Sequence, residues 1–548
     1  MQKTILLLLI GIVSFGQSIA QKNLKLSGNH VIGLDSIATQ DVPPNAPGIA
    51  TGIVKNGKVV YLKYAGYANL EDSVLIDSKS RFNIASNGKQ FTALAILMLV
   101  ESQKLKLTDD FRKYLPDILP NVKAKITIEN LINHSSGIRD VYDLWSLQNI
   151  TWWKKELSNK DALQLLRKQT ELNFEVGTKH LYSNSNYILL AQIIEKVNPN
   201  GFVAFTSQMF KQLQMPNTSF TEDYKNIDGA IAKPYFNFGK WTGYNWTCNI
   251  RGDGNLFSTI DDQLQWEKLI QTNGGGLISE KIIKKTQQLT ANPNIKSYGY
   301  GVEFATYKDL NYRFHEGATG AWKATFVRFP EDTLSMVTLT NSGKTIPSMQ
   351  TRQMVDFVYG FTNKTPKYAI LPPKVGSYTS EKDILGTYQT PDGFTFRFEE
   401  RGTDIYLIRI GRNDIKLKRE ADNIFYQSND RDFKQEFTKN TSGQMQVTVY
   451  YPTHAPYTLT RIDADWQGFD FGSLNGVFLN QETGVKMSIE HQKDKTYKVM
   501  LGNETSTGLL LSPTKLLVDN YNIKIQSQKK ELLLNGDRIK NVRFKHLK

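Results

Sequence analysis

The chain has 548 residues, a formal charge of +14, 40% apolar and 11% aromatic residues, and a single cysteine, Cys248. The length exceeds one ordinary domain and the apolar content excludes a disordered polymer. One cysteine excludes an intrachain disulfide and a thiolate-rich metal site, and the interleaving of basic with acidic residues reads as a solvated surface rather than a nucleic-acid footprint.

Lys3, an apolar run over 5–15 and the small residues Ser18 and Ala20 predict a secretory signal over 1–20, cleaved near Ala20. The run is too short to span a bilayer, and no other stretch suggests a transmembrane segment. Export with one cysteine fits a periplasmic or secreted bacterial protein. Residues 49–69 alternate and carry Asn56-Gly57 between two β-rich runs, a hairpin signal. Next comes Phe82-Asn83-Ile84-Ala85-Ser86-Asn87-Gly88-Lys89, a short polar approach into an apolar helix that runs to about Val100. Thr127 is placed to cap a helix leading to His134-Ser135-Ser136-Gly137. Residues 145–172 have a helical pattern, 187–197 form an apolar helix, and 200–290 mix helix and loop. Strands are expected over 299–303, 313–316, 322–329 and 334–339. Strands at both ends with helices between them predict an α+β domain over 21–360, in which one antiparallel sheet is built from both chain ends.

A Pro-containing linker is expected over 361–383. Beyond it the pattern changes to short alternating strands, with an internal echo at roughly 90 residues. Ile384-Leu385-Gly386-Thr387-Tyr388 matches Leu474-Asn475-Gly476-Val477-Phe478, Tyr406-Leu407-Ile408 and Gly411 match Tyr497-Lys498-Val499 and Gly502, and the runs 457–462 and 542–547 correspond. Two small antiparallel β-barrels over 384–464 and 465–548 follow from this repeat.

The chemistry-bearing residues lie before the linker. On a helix the Lys89 ammonium can reach the Ser86 hydroxyl three residues earlier. A serine hydroxyl needs a base, and a lysine becomes one when desolvation or a neighbouring cation lowers its pKa. Ser-x-x-Lys alone is common by chance. Tyr182-Ser183-Asn184 adds a phenol able to shuttle a proton and an amide able both to donate and to accept. His315-Glu316-Gly317 closes a predicted strand, where the glycine admits a ligand to the strand edge and the following N–H, of Ala318, can pair with that of Ser86. His315-Glu316 is no zinc site, because residue 319 is Thr and no His-x-x-x-His spacing exists. Arg251-Gly252-Asp253 reads as a loop, and His134 as a residue that orders one.

Ser-x-x-Lys, Tyr-x-Asn and His-x-Gly in this order resemble the penicillin-recognising serine hydrolases. The likeness spans about 30–360 and extends to phrases such as 133–138, 255–259 and 298–301. It implies a beta-lactamase-like fold, with Ser86 as nucleophile, Lys89 and Tyr182 sharing the acid–base work, and Asn184, His315 and Gly317 binding substrate. The backbone N–H groups of Ser86 and Ala318 would form the oxyanion hole, and no cofactor or metal is called for. Histidine in place of the usual lysine, together with two C-terminal barrels, is similar to the D-aminopeptidase and esterase branches rather than to true beta-lactamases. The implied partner is a small-molecule or peptide substrate, cell-wall fragments included. The alternative is a receptor that acylates without efficient turnover.

Overall fold

The computed structural model describes residues 28–547 except 222, 362–380, 392, 410–412 and 452–453. The expected signal segment, most of the linker and Gly411 lie outside the described residues. Asn56 and Gly57 both take positive φ, 51° and 72°, and turn β1 (Ile49–Lys55) into β2 (Lys58–Ala65) as a hairpin. β3 (Glu303–Tyr307), β4 (Leu310–Thr319), β5 (Trp322–Phe329) and β6 (Leu334–Thr340) complete a six-stranded antiparallel sheet ordered β3-β4-β5-β6-β1-β2. The two chain ends meet where β1 pairs β6, from Ile49 opposite Thr340 to Lys55 opposite Leu334.

Alternation along these strands gives the sheet two apolar faces. Ile53, Val327 and Met336 pack against Leu34 of α1 (Gly28–Thr39) and Met354 and Val355 of α10 (Pro347–Tyr359). Val54, Phe326 and Val337 face the main core, which takes in α2 (Lys89–Glu101), α3 (Ile128–Ile132), α4 (Val141–Leu147), α5 (Asn159–Arg167), α6 (Asn184–Val197), α7 (Gly201–Gln212), α8 (Ile260–Gln271) and α9 (Glu280–Thr286). Thr127 caps α3 in a reciprocal box with Asn130.

Two local expectations change. The helical pattern over 145–172 breaks into α4, a 3₁₀ turn (Trp152–Lys154) and α5, because Asn149 takes φ 58° and Ser158 opens a new capping box with Asp161. The strand expected over 299–303 begins only at Glu303. Gly301 ahead of it has φ 74° and lies so close to α2 that a Cβ there would be 2.5 Å from the Gln90 nitrogen.

The repeat folds as two closed eight-stranded barrels, running from Gly386–Gln389 to His454–Arg461 and from Gly476–Leu479 to Val542–His546. Each closes by pairing its first strand with its last, Tyr388 opposite Arg461 and Phe478 opposite His546. The second barrel is bolted to the helical region. Glu482 pairs with buried Arg139 at 2.5 Å and accepts from the Thr170 N–H at 2.7 Å, and Gln148 donates to the Thr483 carbonyl at 2.9 Å.

Arg328 of β5 makes a two-pronged ion pair with Glu267 of α8, at 2.8 and 2.7 Å, with both side chains at most 3% exposed. Arg328 also donates to Gln90, tying sheet, α8 and α2 together. Stranding one buried charge costs more than removing both. Arg328→Met is expected to cost about 3–5 kcal/mol, read from the denaturant midpoint of tryptophan fluorescence. Adding Glu267→Leu should recover most of that loss.

Candidate active site

Ser86 sits in a 3₁₀ turn (Ala85–Gly88) that feeds directly into α2. Ala85 takes φ 48°, a left-handed conformation that costs a non-glycine residue about 1–3 kcal/mol. The Asn83 side chain supports it by accepting from the Ala85 N–H at 3.0 Å. α2 is apolar on nearly every side and buried on nearly every side, so Lys89 in its first turn has no route to solvent.

The Lys89 nitrogen lies 3.0 Å from Ser86 Oγ, 2.9 Å from Asn184 Oδ1 and 2.5 Å from the Asp253 carbonyl oxygen. Burial is the main force on its pKa and brings it down to about 7; Arg538 pushes the same way, against Asp253 and Asp140. A neutral amine has two protons and one lone pair. With the protons on Asn184 and the Asp253 carbonyl, the lone pair is left for the Ser86 hydroxyl.

Asn184 is aimed by Asp140. Asp140 Oδ2 accepts from the Asn184 backbone N–H at 2.6 Å and from its Nδ2 at 3.0 Å, while Oδ1 caps α4 through the Tyr142 N–H at 2.9 Å. The Asn184 carbonyl oxygen is thereby committed to Lys89, and what remains for a ligand is one Nδ2 proton.

Tyr182 lines the same cavity as Ser86, and its phenol feels the Ser86 hydroxyl. Its phenol pKa is held well above the usual value by desolvation, while the Ser86 hydrogen bond and the Arg538 charge pull it down. His134 orders this segment, as expected of it. The His134 carbonyl accepts from the Leu181 N–H, its Nδ1 accepts from the Ser183 N–H at 3.2 Å, and its ring stands 4.4 Å from that of Tyr182.

β3 pairs β4 only as far as Phe314, so His315 to Thr319 run with that edge open beside the cavity. His315 is at the predicted place but differs from the expected ligand-binding group. Its Nδ1–H donates to the Glu316 carbonyl at 2.8 Å and its Nε2 accepts from the Tyr298 hydroxyl at 3.0 Å, so both nitrogens are spent. Burial brings its pKa down to about 3, which leaves it uncharged. A Cβ on Gly317 would sit 2.5 Å from the Ile84 carbonyl oxygen and 3.0 Å from the Ser86 nitrogen, so only glycine leaves the Ser86 N–H accessible there. Ser86, Tyr182, Asn184, His315, Gly317 and Ala318 all line one cavity of about 500 Å³, a volume that suits a small ligand.

Three further residues of this site were not foreseen from the sequence, Asp253 and Arg538 at the cavity and Asp140 behind it. Asp140 orients Asn184. Asp253, in the Arg-Gly-Asp loop, lends its carbonyl to Lys89 and accepts from the Tyr142 hydroxyl at 2.9 Å. Arg538 reaches the cavity from the second barrel. The N-cap position of Asp140 ahead of α4 carried a local signal; Arg538 carried none.

A base whose pKa lies near 7 sets the pH dependence of the serine. Below about 7 Lys89 is an ammonium without a lone pair, so labelling of Ser86 by a fluorophosphonate should rise as pH climbs through about 7 and then level. Lys89→Met should slow labelling by about 10²–10⁴-fold, measured by intact-mass spectrometry.

Residues 34–360 match the model of the family described as Beta-lactamase. Protein flp of Staphylococcus aureus strain MRSA252 is 27% identical over 377 residues, which cover 65% of this chain and 71% of that protein. A protein named D-aminopeptidase from Cereibacter sphaeroides is 26% identical over 315 residues, covering 55% of this chain and 58% of that protein. The structure of an octameric penicillin-binding protein homologue from Pyrococcus abyssi superposes with a TM-score of 0.57 at 23% identity, covering 79% of this chain and all of that one. The chain belongs to the beta-lactamase family of serine hydrolases.

Proposed function

We propose that the chain is an exported hydrolase that works through an acyl-enzyme on amide or peptide bonds, D-aminoacyl ones included, or on small carboxylic esters. The observation that carries this reading is the amine of Lys89, 3.0 Å from Ser86 Oγ and depressed to about 7 by burial. Ser86 attacks the carbonyl carbon as Lys89 and Tyr182 take its proton. The oxyanion is received by the N–H groups of Ser86 and Ala318, and the proton passes through Tyr182 to the leaving nitrogen or oxygen. Water then enters, loses a proton to the same pair and releases the acid. Asn184 offers its remaining amide proton to the substrate, Gly317 leaves room beside the oxyanion, and His315 shapes the strand without adding charge.

An uncharged His315 favours the amide and ester branches, since it gives a beta-lactam carboxylate no cation at that point. The relative named D-aminopeptidase supports the same branch. Export rests on the signal-like segment over 1–20.

The test is intact-mass spectrometry and product assay with a fluorophosphonate, a penicillin, p-nitrophenyl esters and D- and L-aminoacyl nitroanilides. Labelling and turnover that vanish in Ser86→Ala are expected. A penicillin adduct that persists, with no substrate turned over, would replace the hydrolase with a receptor. Gly317→Ala is expected to lower kcat by about 10²–10³-fold, because its methyl group meets the Ile84 carbonyl oxygen and the Ser86 N–H and forces the turn that carries this donor to shift.

A further inference from the structure

The Tyr182 ring has two cations against it. Lys89 Nζ is 4.9 Å from the ring centroid, and the guanidinium carbon of Arg538 is 5.0 Å from it. Lys89 belongs to the same helical region as Tyr182. Arg538 comes from the turn between the last two strands of the second barrel, more than 350 residues away in sequence.

That turn is built to hold its position. The Arg538 N–H donates to Asp143 at 2.7 Å, and its carbonyl accepts from Asn173 Nδ2 at 3.0 Å. The next residues continue the seam, with the Lys540 N–H on Asn173 Oδ1 at 2.6 Å and the Asn541 carbonyl receiving Arg139 at 3.1 Å. The backbone is fixed by the helical region, while the guanidinium lies in the field of the Asp140 and Asp143 carboxylates and against the Tyr182 ring. Its ion pair is a long one, 3.7 Å to Asp537, whose side chain is 88% exposed.

We propose that Arg538 is a positioning residue of the catalytic centre, supplying through the second barrel a second positive charge that favours the proton-free form of the Lys89/Tyr182 pair. This rests on the hydrolase reading above. A nearby cation disfavours the Lys89 ammonium and favours a Tyr182 phenolate, so both members of the pair respond in the same sense whichever holds the proton. Arg538 acts on both groups in that direction. Other charges and titratable groups face the pair from each neighbouring element: Asp140 ahead of α4, Asp253 from the loop before α8, Glu303 of β3, His315 of β4, His134 after α3, and the phenol of Tyr298. Both histidines are depressed by burial and stay neutral, so neither supplies this charge.

The test compares the full chain with Arg538→Gln, Arg538→Met and Arg538→Lys, each checked for an unchanged thermal midpoint. Fluorophosphonate labelling and kcat/KM on esters with and without a carboxylate are followed against pH, and the titration of Lys89 is followed by ¹⁵N-lysine NMR, which needs no turnover. The neutral variants should move the rising limb and the Lys89 titration up by roughly 1 unit. Labelling near pH 7 should fall several-fold and recover at higher pH, with Arg538→Lys close to wild type. Three outcomes overturn the proposal: an unmoved limb and titration, a loss equal at every pH, or a loss confined to substrates that carry a carboxylate. If wild type is not labelled at all while Lys89 still shifts in Arg538→Gln, the hydrolase reading fails and the charge effect stands.

Discussion

The burial of one amine is the constraint from which the rest of the site follows. Moving the Lys89 pKa from 10.5 to about 7 corresponds to about 5 kcal/mol in favour of the neutral form. That desolvation requires an apolar helix enclosed on all sides, which is what the run after Lys89 supplies. It also requires that the amine not be stranded. The carbonyl of Asp253 and the amide oxygen of Asn184 satisfy its protons without adding a full charge beside it. A carboxylate at either place would have paired with the ammonium and restored its proton. Asp140 stands one residue removed, aiming the Asn184 amide rather than touching the lysine, and this arrangement keeps Lys89 basic enough to act and neutral enough to accept.

The parts of this site that the sequence made legible are those set by local geometry. Ser86 and Lys89 are one turn apart, Tyr182 and Asn184 flank the start of a helix, and Gly317 closes a strand, so spacing alone carries them. The sheet was legible for a related reason: the β-rich apolar runs over 322–329 and 334–339 name strands, and Asn56-Gly57 names the turn that returns β2. What escaped is set by distant partners. His315 looks like a ligand-facing group until Tyr298 and the Glu316 carbonyl take both its nitrogens. The run over 145–172 looks like one helix until Asn149 turns left-handed. The Asn149 side-chain oxygen, Oδ1, accepts from the Asn503 N–H at 2.8 Å, so the break in the helix is also a docking point for the second barrel.

The duplication shows how one turn can serve two purposes. In the first barrel the turn after the opening strand docks on the second barrel, with Gln389 donating to Asn522 at 2.6 Å and Asn522 donating to the Gly393 carbonyl at 2.8 Å. In the second barrel the corresponding turn carries Glu482 into the helical region, against Arg139. Each copy thus leans on the next body through the same corner of its fold. Glu482 is well placed for that task because it answers a guanidinium with no other route to water, and a buried ion pair of this kind fixes register more than it adds stability.

A barrel fixed by such contacts can deliver a charge to a place where the catalytic domain's own strand has none. Charge at this point must satisfy two opposed demands: it must be near enough to bias a proton, yet not buried so deeply that its own desolvation cancels the benefit. Arg538 meets both by geometry. Its backbone is held by Asp143 and Asn173, while its guanidinium lies along the Tyr182 ring with its side chain 36% exposed. A guanidinium keeps its proton across the working pH range, so the field it imposes on the pair is steady. The histidine at the strand edge and the arginine on the barrel are then two halves of one arrangement: His315 adds no charge beside Tyr182, the Lys323 ammonium of β5 is held by the Gly343 and Thr345 carbonyls, and the cation against the Tyr182 ring from outside the domain comes from the barrel.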